Sequence, residues 1–251
     1  MTSIVFGSVP LPGQSGDRLV SKVVSAAIAA FFKRTDALEA NVKAEPVAKL
    51  LQGSVDGFDL IGKGLQMHNG LRIAVMELFV NAVAIDFGAI LSGQVKIKQP
   101  TEASLRVVLT DSDLTESFNT PFIVEKLQRL EYDGEPLNFQ NTQMEVNDDR
   151  TISLTSSVRI GQGDLIALAM TAAVEVIDRR KIQFVEVTHQ GNEEAETLGN
   201  ALIEHVNSLL DLERFALDGM QLRIDRLRVQ PQQIVFYGTA AIAQFPKRRA
   251  A

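Results

Sequence analysis

Apolar and polar residues alternate along most of this chain, and the alternation has a period of two over long stretches. Leu38, Ala40, Val42 and Ala44 face one way, while Glu39, Asn41 and Lys43 face the other, as in a half-buried strand. Ser54–Met67 and Leu71–Ile85 read as extended, with Asn69-Gly70 between them as a hairpin turn. Val95 and Ile97 alternate with Lys96 and Lys98. Ala103, Leu105, Val107 and Leu109 then repeat the pattern. Further on, Phe139–Val146, Thr151–Ile160, Leu165–Ile177 and Ile182–His189 read as a meander, although Leu165–Ile177, with Glu175 as its single charge, also fits a helix. Two last strands, about Phe215–Val229 and Ile234–Ile242, flank the turn at Pro231.

Helical periodicity interrupts this pattern in a few places. Leu19–Phe32 carries only one charge, Lys22, and follows Asp17 as a candidate N-cap. Its polar groups form one narrow line through Arg18, Ser21, Lys22, Ser25 and Lys33. Val20, Val23, Val24, Ala27, Ile28, Phe31 and Phe32 cover most of the rest. A helix apolar nearly all round must be enclosed by protein or lie in lipid. Glu193–Leu210 differs, with one stripe of Ala195, Leu198, Leu202, Val206 and Leu209. Thr110 and Asp113 have the spacing of a capping box, and Thr120-Pro121 restarts the helix with an N-cap and a first-turn proline.

These elements predict an α+β fold: a long curved antiparallel sheet rolled around an N-terminal and a C-terminal helix. No composition shift marks a boundary. The expected organisation is a lead-in over residues 1–16, one domain over 17–246 and a basic tail over 247–251.

Composition narrows the function classes. The 251 residues carry a net charge of -6, which argues against general nucleic-acid binding. There is no cysteine, so no disulfide, thiolate metal site or cysteine nucleophile. No apolar run reaches the roughly 20 residues that span a bilayer. Val23–Phe32 has the length of a signal-peptide core. It lacks a basic region ahead of it until Arg18, and Lys33-Arg34 stand where small cleavage-site residues belong.

Catalytic signatures are thin. Gly57-Phe-Asp-Leu-Ile-Gly62-Lys63-Gly64 approaches a phosphate-binding loop, but Gly64 replaces the hydroxyl residue and the strand pattern runs on. Bulges or bends in a curved sheet are the better reading of these glycines, so no nucleotide is expected. His68, His189 and His205 lack partners at metal-ligand spacing. Asp111, Asp113 and Glu116 suit a helix N-terminus. The reading is no enzyme, no metal and no cofactor.

The stretch Val83–Phe122, with its Gln99-Pro100-Thr101 turn, Leu-Thr-Asp-Ser-Asp-Leu run and Asn119-Thr120-Pro121, resembles the LmeA-like phospholipid-binding family of actinobacteria and cyanobacteria. Leu209–Met220 and the terminal Phe245-Pro246 match as well. The resemblance implies a tubular lipid-binding-like fold and phospholipid as ligand, anionic lipids included, in the service of membrane or envelope maintenance. It brings no catalytic residues. Actinobacterial relatives are typically exported. Without a convincing export signal, this chain is expected to be cytoplasmic or peripheral to a membrane.

Candidate lipid-lining residues are Val24, Ile28, Phe31, Phe32, Phe79, Met170, Phe184, Leu202, Val206 and Phe236. Candidate membrane contacts are Arg179, Arg180, Lys181, Lys247, Arg248 and Arg249. The alternative is a structural or scaffolding module whose core is filled by its own side chains and which acts through a protein partner. A lipid-modifying enzyme is the third reading.

Overall fold

The computed structural model describes residues 21, 22, 24–26, 28–46, 48–86, 88, 89, 96–132, 134–212 and 219–244. The lead-in, the tail with Lys247, Arg248 and Arg249, and parts of the stretches around 87–95 and 213–218 lie outside them. Strands dominate. In chain order the elements are β1 (Phe32–Arg34), β2 (Ala37–Lys43), α1 (Ala48–Leu51), β3 (Ser54–Met67), β4 (Arg72–Ala84) and β5 (Thr101–Thr110). There follow α2 (Asp111–Phe118), α3 (Pro121–Leu127), β6 (Glu131–Tyr132), β7 (Glu135–Val146), β8 (Ile152–Ile160) and β9 (Leu165–Ile177). The chain ends with β10 (Lys181–Gln190), α4 (Glu193–Leu209), β11 (Met220–Gln230) and β12 (Gln233–Ile242). Ahead of β1, the described residues from 21 to 29 are helical.

The strands form two antiparallel sheets, where the sequence suggested one. The seven-stranded sheet runs β1-β3-β4-β5-β12-β11, with β2 also paired to β3; the five-stranded meander runs β10-β9-β8-β7-β6. Each sheet has its own core and its own helix. Val24 and Ile28 of the N-terminal helix join the first core with Val42, Val55, Phe58 and Val80. Leu198, Leu202 and Val206 of α4 join the second with Leu154, Met170 and Phe184.

Local sequence explains the helix ends. Asp113 N–H donates to Thr110 Oγ1 (3.3 Å) and Thr110 N–H donates back to Asp113 Oδ2 (2.9 Å), the reciprocal capping box. Thr120 caps α3, with Pro121 at its start. Asn192 Oδ1 accepts from Ala195 N–H (2.9 Å) to open α4.

The N-terminal helix stops earlier than its apolar run. Residues 30 and 31 form a turn and Phe32 already pairs with Met67 of β3. Strand pairing decides this boundary. His68 Nε2 lies 3.3 Å from the Ala30 carbonyl, on the turn that ends the helix.

At Gly57, Gly62 and Gly64, where bulges or bends are expected, no register shift occurs, and Gly64 bends the strand backbone with φ 55°. The register of β3 with β4 is constant from Ser54↔Ala84 to Gln66↔Arg72. At Asn69-Gly70 the turn forms as expected, and Gly70 takes φ 92° there.

Candidate lipid-binding face

Cross-strand register places one apolar row after another on the inner face of the seven-stranded sheet. Val42, Phe58, Val80, Ala103, Ala240 and Leu222 form one row. Leu60, Leu78, Leu105, Gly238 and Ile224 form the next. Gly62, Met76, Val107, Phe236 and Leu227 form the third.

The first row belongs to the core of this sheet. At the far end of the hairpin, Leu227, Val229, Ile234 and Phe236 pack with the core of the other sheet. The β11–β12 hairpin therefore spans both cores with one face. Between them lie Leu105 and Val107, half-buried and part of neither core. That junction is an apolar saddle.

A bulge keeps the hairpin's apolar residues on that face. The register of β11 with β12 shifts between Ile224 and Arg226. The apolar positions of β11 accordingly change from even numbers (Met220, Leu222, Ile224) to odd (Leu227, Val229), while β12 stays even throughout. Gly238 sits opposite the bulge. A Cβ there would lie 2.0 Å from the Arg223 carbonyl oxygen, so only glycine fits.

Two serines fix the N-terminal helix over the other end of the face. Ala40 N–H donates to Ser25 Oγ (3.0 Å) and Val42 N–H donates to Ser21 Oγ (3.1 Å). Four helical residues rise about 6 Å and two strand residues about 6.6 Å, so the spacings agree. The helix's narrow polar line thus covers the edge of β2 and leaves its apolar side for the core. Beneath it lies an apolar cavity of about 40 Å³, lined by Val24, Val42, Phe58, Leu78, Ile97 and Ile242 among others. One water's share of liquid volume is about 30 Å³, so a resting cavity of this size does not hold an acyl chain.

The candidate lining residues divide between the two cores. Val24 and Ile28 are 3% and 5% exposed in the first core, and Phe31 and Phe32 pack against it. Met170, Phe184, Leu202 and Val206 lie in the second, with Phe236 against it at the saddle's edge. Phe79 goes elsewhere: it pairs with Asp59 and Ser104 on the outer face and is 42% exposed. The sequence reading left Leu78, Leu222 and Leu227 out of the site. Leu105 and Val107 were legible as inward-facing but not as lying between two cores.

The basic turn is partly neutralised. Arg179 pairs with Asp225, and Arg180 with Asp211 at 3.3 Å. Lys181 borders a polar depression of about 570 Å³ between β10 and α4, with Asn200, Glu204, Asn207 and Asp211.

The histidines serve structural contacts: His189 Nε2 lies 2.8 Å from Asn200 Oδ1, and His205 Nε2 lies 2.9 Å from the Lys126 carbonyl. Two carboxyls are held below the usual range. Asp56 accepts bonds from the Glu45 N–H and from Lys49, and Asp149 accepts from Thr151. Both do turn-bonding work away from the saddle. Among the described residues no group of three or more His, Asp or Glu is placed to hold a metal ion. No helix among them is long and apolar enough to cross a membrane.

The fold defines the class: a strand-rich protein of two antiparallel sheets, each with its own apolar core and few helices. The family model for LmeA-like phospholipid-binding proteins matches residues 14–239, and the chain belongs to that family. Comparison with curated proteins and with solved structures gives no match.

Proposed function

We propose that this chain binds phospholipid without chemical change and carries or presents it at a membrane, serving lipid maintenance there. The acyl chains lie on the saddle formed by Leu78, Leu105, Val107, Leu222, Leu227 and Phe236. The observation that carries this reading is the pair Leu105 and Val107, half-buried on the face shared by two cores and packed into neither.

Acyl burial supplies the driving force, about 0.8 kcal/mol per methylene, and needs no charged partner. Because the resting cavity holds only about 40 Å³, entry of a chain requires the inner face to open. The N-terminal helix is the element to move, being held to β2 by two side-chain hydrogen bonds. Anionic headgroups and membrane-peripheral residence complete the proposal. Purified protein extracted with organic solvent should yield stoichiometric phospholipid by mass spectrometry.

The small cavity also favours a second reading, a scaffold with a self-filled core. A clean extract from fully folded protein, before and after incubation with phospholipid vesicles, selects it.

A further inference from the structure

The outer face of the seven-stranded sheet has its own chemistry. Register puts Phe79, Ser104, Thr239 and Arg223 in one row across β4, β5, β12 and β11. Glu77, Arg106, Tyr237 and Arg226 form the next. Arg228 follows Arg226 two residues on, exposed, with its guanidinium 5.6 Å from the centre of the Tyr237 ring. The bulge at Asp225 that keeps the apolar residues of β11 inward also keeps these arginines together on the outer side.

Positive charge exceeds negative charge on this face, although the whole chain carries -6. Glu77 is taken by Arg106 at 2.7 Å, Asp59 by Lys43 and Asp225 by Arg179. Glu102 on β5 and Glu39 on β2, which reaches the Glu77 row through Ile61, are the further acids of the face. Arg226 and Arg228 are exposed and have no carboxylate partner among the described residues. On the same face, three strands away on β4 and so about 14 Å across the sheet, stands Phe79, which is 42% exposed. Guanidinium groups bind phosphate in a planar fork, and an aromatic ring inserts at the headgroup level.

We propose that this outer face docks on an anionic lipid bilayer, with Arg226 and Arg228 meeting headgroup phosphates and Phe79 entering the interface. The docking rests on the reading of the opposite face as a lipid site: one sheet then touches the membrane on one side and receives acyl chains on the other. The surface differs from the Arg179–Lys181 turn expected from sequence, where two of the three charges are already paired.

The test is sedimentation with phosphatidylcholine vesicles, with and without phosphatidylserine. The parent protein should bind the phosphatidylserine vesicles and lose them as salt rises. Arg226→Glu with Arg228→Glu should weaken that binding about tenfold or more. Phe79→Ser should weaken binding that persists at high salt. Arg226→Gln with Arg228→Gln gives a milder version should the reversal disturb folding, and melting curves report on that.

A parent that ignores both vesicles, or a double reversal that binds as the parent does, overturns the proposal. So does a parent that forms a dimer which Phe79→Ser dissolves, since the face is then a contact between copies. Extracted lipid content separates this from the acyl site. Lipid retained by the double reversal with vesicle binding lost supports the docking face. A clean extract from a parent that still docks through Arg226 and Arg228 sinks the lipid site and leaves the docking face standing.

Discussion

Leu105 is partly exposed on the inner face, beside Gly238, where no side chain can grow. Its replacement separates ligand contact from core packing. Leu105→Asn should cost about 1–3 kcal/mol of stability, the scale of a mostly buried leucine, and bound phospholipid should fall sharply. Extraction and a thermal melt on the same sample check both. Retained lipid would place the acyl chains elsewhere. Gly238→Ala asks a different question. Its Cβ would meet a backbone carbonyl, which cannot swing aside as a flexible side chain can. The β11 bulge must shift, with a stability loss of about 1–3 kcal/mol or more, visible in denaturant unfolding. An unchanged midpoint would mean that the bulge adapts freely. Some of this was legible at the residue scale: Ala103, Leu105, Val107 and Leu109 alternate cleanly and do face inward. Phe79 was not. The sequence of β4 is apolar at both parities, through Ile73, Val75, Met76, Leu78, Phe79 and Val80, so only its pairing with β3 and β5 decides which face is inner.

At the scale of elements, the N-terminal helix is the part proposed to move, and both its serines and the buried Val24 and Ile28 hold it. Ser21 and Ser25 accept the edge N–H groups of Ala40 and Val42. Without the helix, β2 would present an open edge. Ser21→Ala with Ser25→Ala removes two bonds of roughly 1 kcal/mol each. Amide exchange at Ala40 and Val42 should quicken while the α4 amides stay protected, and lipid uptake from vesicles should speed up. Unchanged exchange at those two amides would show that apolar packing alone holds the helix. The polar line through Ser21 and Ser25 was visible in the sequence, but not the strand edge that it meets. Helical spacing names a face without naming what covers it. The ends of elements were best read where a side chain bonds locally, as at Thr110, Thr120 and Asn192. The boundary set by a distant strand, at Phe32, was not.

At the scale of the whole molecule, period-two alternation revealed the strands and concealed how they divide. It says which residues share a face and nothing about which strand lies alongside. A single rolled sheet and two sheets joined by a common hairpin look alike in sequence. The structure resolves them: β12 carries Ile234 and Phe236 into one core, and Ala240 and Ile242 into the other, without changing face. The saddle arises because that hairpin is longer than either core.

The most direct test is the lipid content of the purified, folded chain, measured by organic extraction and mass spectrometry beside its Leu105→Asn variant. The account predicts about one phospholipid per chain in the parent and little in the variant, with both chains folded and the variant melting only some degrees lower. A folded parent that carries no phospholipid, and takes up none from vesicles, would contradict it.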